Sequence, residues 1–129
     1  MPHRANYARC TFQQHLGPTV DSLDVPWAEF TGDETDVRTF EVPTADPRDP
    51  YVEMQVFDVG DYGHEILVNG ASLSGFDIAT ADRWQYWMDT LEADHLREGE
   101  NTLQFRRNAA GDDAFVVGTA IVHWREPVA

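Results

Sequence analysis

The residue types that do chemistry are present but scattered. The histidines are His3, His15, His64, His95 and His123, and none shows a His-x-His or His-x-x-x-His spacing. A jelly-roll metal site of the cupin kind needs His-x-His followed by Glu. Gly63-His64-Glu65 is the nearest fragment and lacks the second histidine, so that site is rejected. His64 and His123 both fall in strand-like runs and could meet across a sheet, but satisfied strand or edge histidines are the commoner reading. Cys10 stands alone, without a Cys-x-x-Cys partner, and reads as a small buried hydrophobe that cannot form an internal disulfide. No Gly-x-Ser-x-Gly elbow and no glycine-rich phosphate loop occurs. Acidic residues gather at Asp33-Glu34-Asp36, Asp58–Asp61 and Asp112-Asp113. Calcium needs six to eight oxygens. Asp112 and Asp113, or Asp58 and Asp61, could supply part of such a set. With 23 Asp and Glu in the chain, however, solvated carboxylates are the expectation.

The aromatic stretch Trp84-Gln85-Tyr86-Trp87-Met88 has more to offer. In an alternating strand Trp84 and Tyr86 face one way and Trp87 the other. Flat rings beside Arg and Asp suit sugars, which offer CH groups to stack on and hydroxyls to bond. Core packing together with a dimer interface explains the same residues, and for a small sandwich it ranks ahead of a sugar platform.

The elements that would carry these residues read as short strands between turn signals. Val52, Met54 and Val56 alternate with Glu53 and Gln55 within Tyr51 to Asp58. Further strands are expected over His64 to Asn69, Asn101 to Arg107 and Phe115 to Arg125. Cys10 to His15, Asp36 to Val42 and Ala28 to Thr31 are weaker candidates. Helical and strand spacing compete around Trp84, and Arg83 to Leu91 is read as a strand followed by a short helical turn over Ala93 to Leu96, closed by Gly99. Eight or so strands with hardly any helix predict an all-β fold, an antiparallel β-sandwich or barrel. The 129 residues are read as one domain, with residues 1–9 a loosely attached N-terminus.

Glu65-Ile66-Leu67-Val68-Asn69-Gly70 is a strand ending in an Asn-Gly turn. A loop with Phe76 and an aromatic strand follow, then Leu96-Arg97-Glu98-Gly99-Glu100-Asn101-Thr102-Leu103. Over about residues 50–125 this pattern resembles galactose-binding-like jelly-roll domains, and most nearly the sugar-binding domain of family 2 glycoside hydrolases. The resemblance implies a non-catalytic accessory domain. It also implies a jelly roll that frequently holds a structural calcium. Its motif residues are turn and corner residues, so they predict fold and not ligand contacts.

If consecutive strands alternate in direction, loops 43–50, 70–83 and 108–113 share one end of the sandwich, and 58–63 and 92–100 the other. Loops on a rigid scaffold are where binding residues collect. The expected ligand site is therefore the first end, built from Arg48, Phe76, Asp77, Arg83, Trp84 and Asp112.

Charge decides the solvent. The net charge is −14; all nine basic residues are Arg, and Asp outnumbers Glu 14 to 9. A small domain stays soluble with a net charge of magnitude about 2–8. The excess repels itself unless salt screens it, and at 1 M the Debye length is only about 3 Å. The composition resembles that of salt-accumulating halophiles. It argues against nucleic acid and anionic membranes as partners. No apolar run approaches the roughly 20 residues of a membrane span, and the first residues lack the apolar core of a secretory signal. The expectation is a cytoplasmic, non-catalytic binding module, of a carbohydrate or of a protein. A structural or homo-oligomeric subunit is the alternative, and a small jelly-roll lyase or hydrolase ranks last.

Overall fold

The computed structural model describes residues 2–73 and 78–128. Within them the strands are β1 (His3–Leu16), β2 (Glu29–Gly32), β3 (Arg38–Val42), β4 (Arg48–Phe57), β5 (Glu65–Val68), β6 (Ala71–Ser72), β7 (Trp84–Thr90), β8 (Gly99–Arg106) and β9 (Phe115–Pro127). Two single turns of 3₁₀ helix, Val20–Ser22 and Ala93–His95, complete the regular structure among the described residues. The strands form a five-stranded sheet in the order β2-β1-β9-β4-β7 and a four-stranded sheet in the order β3-β8-β5-β6. Every ladder is antiparallel except β1 with β2. The expected all-β antiparallel sandwich is the observed one, including a strand through Trp84 and a helical turn after it.

Period-two patterning builds the core. Val52, Met54 and Val56 of β4 and Ala120, Val122 and Trp124 of β9 point inward from one sheet. Phe40, Val42, Ile66, Val68, Leu103 and Phe105 meet them from the other. Phe12 packs edge-on against Phe105 at 5.3 Å and joins the sheets. Burying each of the Val, Leu, Ile, Met and Phe side chains contributes about 1.5–3 kcal/mol.

The N-terminal residues depart from expectation. Residues 3–9 are not loosely attached: β1 pairs with β9 from His3 opposite Pro127 to Leu16 opposite Phe115. One side of this segment faces solvent, so its composition is polar and hides the strand. Its attachment comes from backbone pairing and a side-chain clasp. The buried Glu126 carboxylate accepts hydrogen bonds from Asn6 Nδ2 (2.9 Å), Arg4 Nη2 (3.2 Å) and Trp124 Nε1 (2.8 Å). A bulge at Gln13, with φ 51°, shifts the register between Thr11 and Gln14. Beyond it Gln14, His15 and Leu16 are buried in succession.

The two Asn-Gly-type motifs form one corner. Asn69 (φ 53°) and Gly70 (φ 80°) turn β5 into β6. Asn69 Nδ2 donates to His95 O and to Asn101 Oδ1, both at 2.8 Å, while Asn69 Oδ1 accepts the Thr102 N–H at 2.9 Å. Fully buried Asn101 in turn accepts the Arg97 N–H and donates to the carbonyls of Arg97 and Gly99. Leu96 and Leu103 anchor the corner in the core. These residues satisfy backbone groups where strands stop, and none is offered to a ligand.

The loops divide between the ends differently from the alternation scheme. Phe57 lies opposite Trp84 and Val116, so the loops before β7 and β9 sit at the C-terminal end of β4. Segments 58–64, 78–83 and 107–114 therefore share one end. Val42 lies opposite Gly99, which puts 43–47 and 91–98 at the other. The cause is a miscounted crossing. The chain turns at Asn69-Gly70, runs back as β6, and reaches the far end before β7 begins. Ala81 N–H bonds to Val59 O there. One hidden return reverses the assignment of every later loop.

Candidate functional site

The expected site residues do not all converge. Arg48 opens β4 at one end of the sandwich, where its guanidinium holds Asp46 at 3.2 Å. Arg83 (φ 64°) precedes and Trp84 opens β7 at the other end, and Asp112 is in the 107–114 loop there. Phe76 and Asp77 lie outside the described residues. The loop-end cluster therefore loses Arg48, and its neighbours Asp58, Asp61 and Asp113 brace the loops. Asp113 accepts the Gly60 and Asp61 N–H groups (3.1 and 3.2 Å) and the buried His64 Nε2 at 2.7 Å. His64 Nδ1 accepts the Asn108 N–H at 2.9 Å, which fixes the ring proton on Nε2, pointing at Asp113. A Cβ on Gly60 would come within 2.9 Å of Asp113 Oδ1, so a larger residue there would displace the carboxylate. Asp58 Oδ1 accepts the Arg83 N–H, and Asp61 Oδ1 the Tyr62 N–H. Among the described residues no group of three or more His, Cys, Asp or Glu is placed to hold a metal ion.

His64 and His123 do not meet. His64 sits in the loop brace, whereas His123 faces outward from β9. Cys10 is buried as expected, and burial pushes its thiol pKa up.

Rings and hydrogen-bonding groups converge instead on the outer face of the five-stranded sheet. β7 alternates there: Trp84, Tyr86 and Met88 are 45%, 71% and 55% exposed, while Trp87 packs against the core. Trp84 lies over the backbone of Gly118 in β9; a Cβ at Gly118 would come within 3.0 Å of the indole. Trp27 and Phe57 close this corner, with ring centroids 5.6 and 5.2 Å from Trp84. Along β4 comes Gln55, whose Nε2 donates to the Tyr86 hydroxyl at 3.1 Å. A groove of about 290 Å³ follows, lined by Arg9, Thr11, Glu53, Gln55, Tyr86 and Thr119 among others. Beyond it Tyr51 stacks flat on His123, with centroids 4.5 Å apart and planes 9° apart, and Glu53 Oε1 lies 2.6 Å from His123 Nε2. A second depression of about 330 Å³ continues between Tyr51 and Met88. The Arg9 guanidinium has no ion-pair or hydrogen-bond partner among the described residues.

The face thus has an aromatic corner, a polar middle and a second stacked ring pair. From Tyr51 to Phe57 it runs about 20 Å at roughly 3.3 Å per residue. Trp84 was legible as a candidate. Arg9, Tyr51, Glu53, Gln55 and His123 were not. Their signal lay in the outward half of β4, where Tyr51, Glu53, Gln55 and Phe57 mix rings with polar groups.

A galactose-binding-like jelly roll is the class this architecture defines. The resemblance of residues 50–125 to the sugar-binding domain of family 2 glycoside hydrolases agrees with it. The chain belongs to the Family of unknown function (DUF7383), whose model matches residues 4–126. No curated protein matches it. Among solved structures it is similar to the CBM36-1 domain of a multidomain xylanase from the hindgut metagenome of Trinervitermes trinervoides. That likeness has TM-score 0.57 and 8% identity, and covers 98% of this chain and 99% of that one. It is also similar to a family 35 carbohydrate-binding module from an environmental isolate, with TM-score 0.52, 15% identity, and 74% and 70% of the two chains covered. The Podospora anserina GH26-CBM35 beta-(1,4)-mannanase is matched over 75% of this chain, which spans only 20% of that enzyme (15% identity, TM-score 0.48).

Proposed function

We propose that this chain is a non-catalytic carbohydrate-binding module, and that its ligand lies along β4 on the outer face of the five-stranded sheet. The observation that carries the reading is the groove between the Trp84 corner and the Tyr51–His123 stack, floored by Glu53, Gln55 and Thr119. Sugar rings present apolar CH faces to aromatic planes, and their hydroxyls both donate and accept. Glu53 accepts, Arg9 donates, and Gln55 and Thr119 do both. Tyr86, its hydroxyl held by Gln55, lines the groove beside them. The likeness in fold to carbohydrate-binding modules supports the same class of ligand. This site is preferred to the loop-end cluster, from which Arg48 is separated at the opposite end of the sandwich.

The reading includes the medium. A charge of −14 with no Lys suits a protein working in molar salt inside the cell.

Titration calorimetry in molar KCl against a panel of plant and microbial oligosaccharides tests the proposal. Binding of one sugar class is expected, weakened about tenfold or more by Trp84→Ala, since truncating a central aromatic anchor costs upward of about 1.4 kcal/mol. Absence of binding across the panel, with the chain folded, would contradict it and favour a protein partner.

A further inference from the structure

The open edge of the five-stranded sheet is a feature that the carbohydrate reading does not use. β7 ends that sheet, and no strand among the described residues pairs on its far side. Arg83 O accepts the Asp58 N–H, and Leu91 N–H donates to Pro50 O, both at 2.9 Å. The odd-numbered residues of β7 therefore turn their backbone groups toward β4. Trp84, Tyr86 and Met88 turn theirs to the open edge. The outward N–H of Thr90 is already taken by Asp89 Oδ1 at 2.9 Å, which marks where the open stretch stops.

Natural sheets guard such edges by shortness, charge, proline or bulges. The other edges are guarded. β6 has two residues and β2 four, and β3 carries Arg38 and Glu41. β7 has seven residues, no proline and one charged side chain, Asp89. In a chain of net charge −14, the segment 83–90 is neutral, with Arg83 at one end and Asp89 near the other. The Arg83 side chain has no ion-pair partner among the described residues.

We propose that β7 pairs antiparallel with β7 of a second copy of this chain, across a two-fold axis at Tyr86. Tyr86 then faces its own counterpart and exchanges both backbone hydrogen bonds with it. Trp84 lies opposite Met88 of the second copy, a ring against a thioether. Arg83 lies opposite Asp89 of the second copy, and the two-fold repeats that pair. The charges choose this register. An axis at Trp87 serves the same backbone groups but sets Arg83 opposite Leu91. The interface is isologous and closes at two subunits. It makes one continuous sheet of ten strands and leaves the outer faces free, with the two grooves side by side.

Sedimentation equilibrium tests this at the lowest KCl concentration that keeps the chain folded and again in molar KCl. Twice the monomer mass is expected, with tighter association in molar KCl because screening removes repulsion between the two anionic bodies. Met88→Lys, a charge on the edge, should return the monomer. At the lower salt Asp89→Arg and Arg83→Asp should each weaken the dimer several-fold, and the double swap should restore it. Circular dichroism checks that each variant is folded. A folded chain that stays monomeric at every concentration in both salts would overturn the proposal. So would a dimer indifferent to Met88→Lys, or single charge variants that the double swap does not rescue.

Discussion

His15 and Glu126 both weaken the fold as pH falls, for different physical reasons. His15 is buried at the end of β1, against Phe30, and burial lowers its pKa from 6.5. In the unfolded chain it takes up a proton more readily than in the fold. Stability should therefore be complete above about pH 6.5 and fall as pH drops toward the folded value. Thermal melts from about pH 8 to 5 should show a slope that His15→Gln reduces; an unchanged slope would refute this assignment. Glu126 has its pKa lowered from 4.5 by hydrogen bonds from Asn6, then Trp124, and by Arg4. Its stabilising effect is present above 4.5 and lost as pH falls through the folded value. Glu126→Gln should release the first residues of β1, seen as faster amide exchange at Ala5 to Tyr7 and not at Val52 to Val56. Gly118 is a third test at this scale. Valine there meets the Trp84 ring at about 3.0 Å and must lift it off the sheet. The variant should stay folded, shift its tryptophan emission to the red and bind sugar less well.

Among elements, the corner joining β5 to β8 shows why the sequence pointed to this fold so clearly. Asn69 and Asn101 are two distant letters of a pattern, yet they hydrogen-bond to each other and close both strands. A motif set by backbone satisfaction keeps its letters whatever the ligand, so it carries the fold and stays silent on function. Asn101→Ala leaves buried partners unmet and should cost about 1–3 kcal/mol, lowering Tm by several degrees. A shift below one degree would mean that water takes over those bonds. The alternating strands were legible for the same physical reason, since inward Val, Met, Phe and Leu must repeat every second residue. The loop ends were not legible. β6 has only two residues and both are exposed, so no apolar alternation announces the return it makes. That unseen crossing separated Arg48 from Arg83 and Trp84. The strand over residues 3–9 was hidden similarly, because backbone pairing to β9 and the Glu126 clasp leave little trace in composition.

At the scale of the whole molecule, the charge and the outer face act together. A net charge of −14 should make the fold depend on salt: Tm should climb steadily with KCl and level off once the Debye length is near 3 Å. A Tm indifferent to salt would refute salt adaptation. The outer face carries rings at both ends, Trp27, Trp84 and Tyr86 at one and Tyr51 on His123 at the other, with polar groups between them, on a chain of net charge −14. Carbohydrate is a fitting partner for such a surface. It is neutral or weakly charged, and its recognition by stacking and short hydrogen bonds survives molar salt, where long-range ion pairing does not.

The most direct test is a two-dimensional amide NMR titration of the folded chain in molar KCl with the oligosaccharide panel. The account predicts shifts confined to the outer face, at the Trp84 indole N–H, the Gln55 side-chain amide, and the backbone of Glu53, Tyr86 and Thr119. Shifts confined to the 58–64 and 107–114 loops, or none with any sugar class, would contradict it.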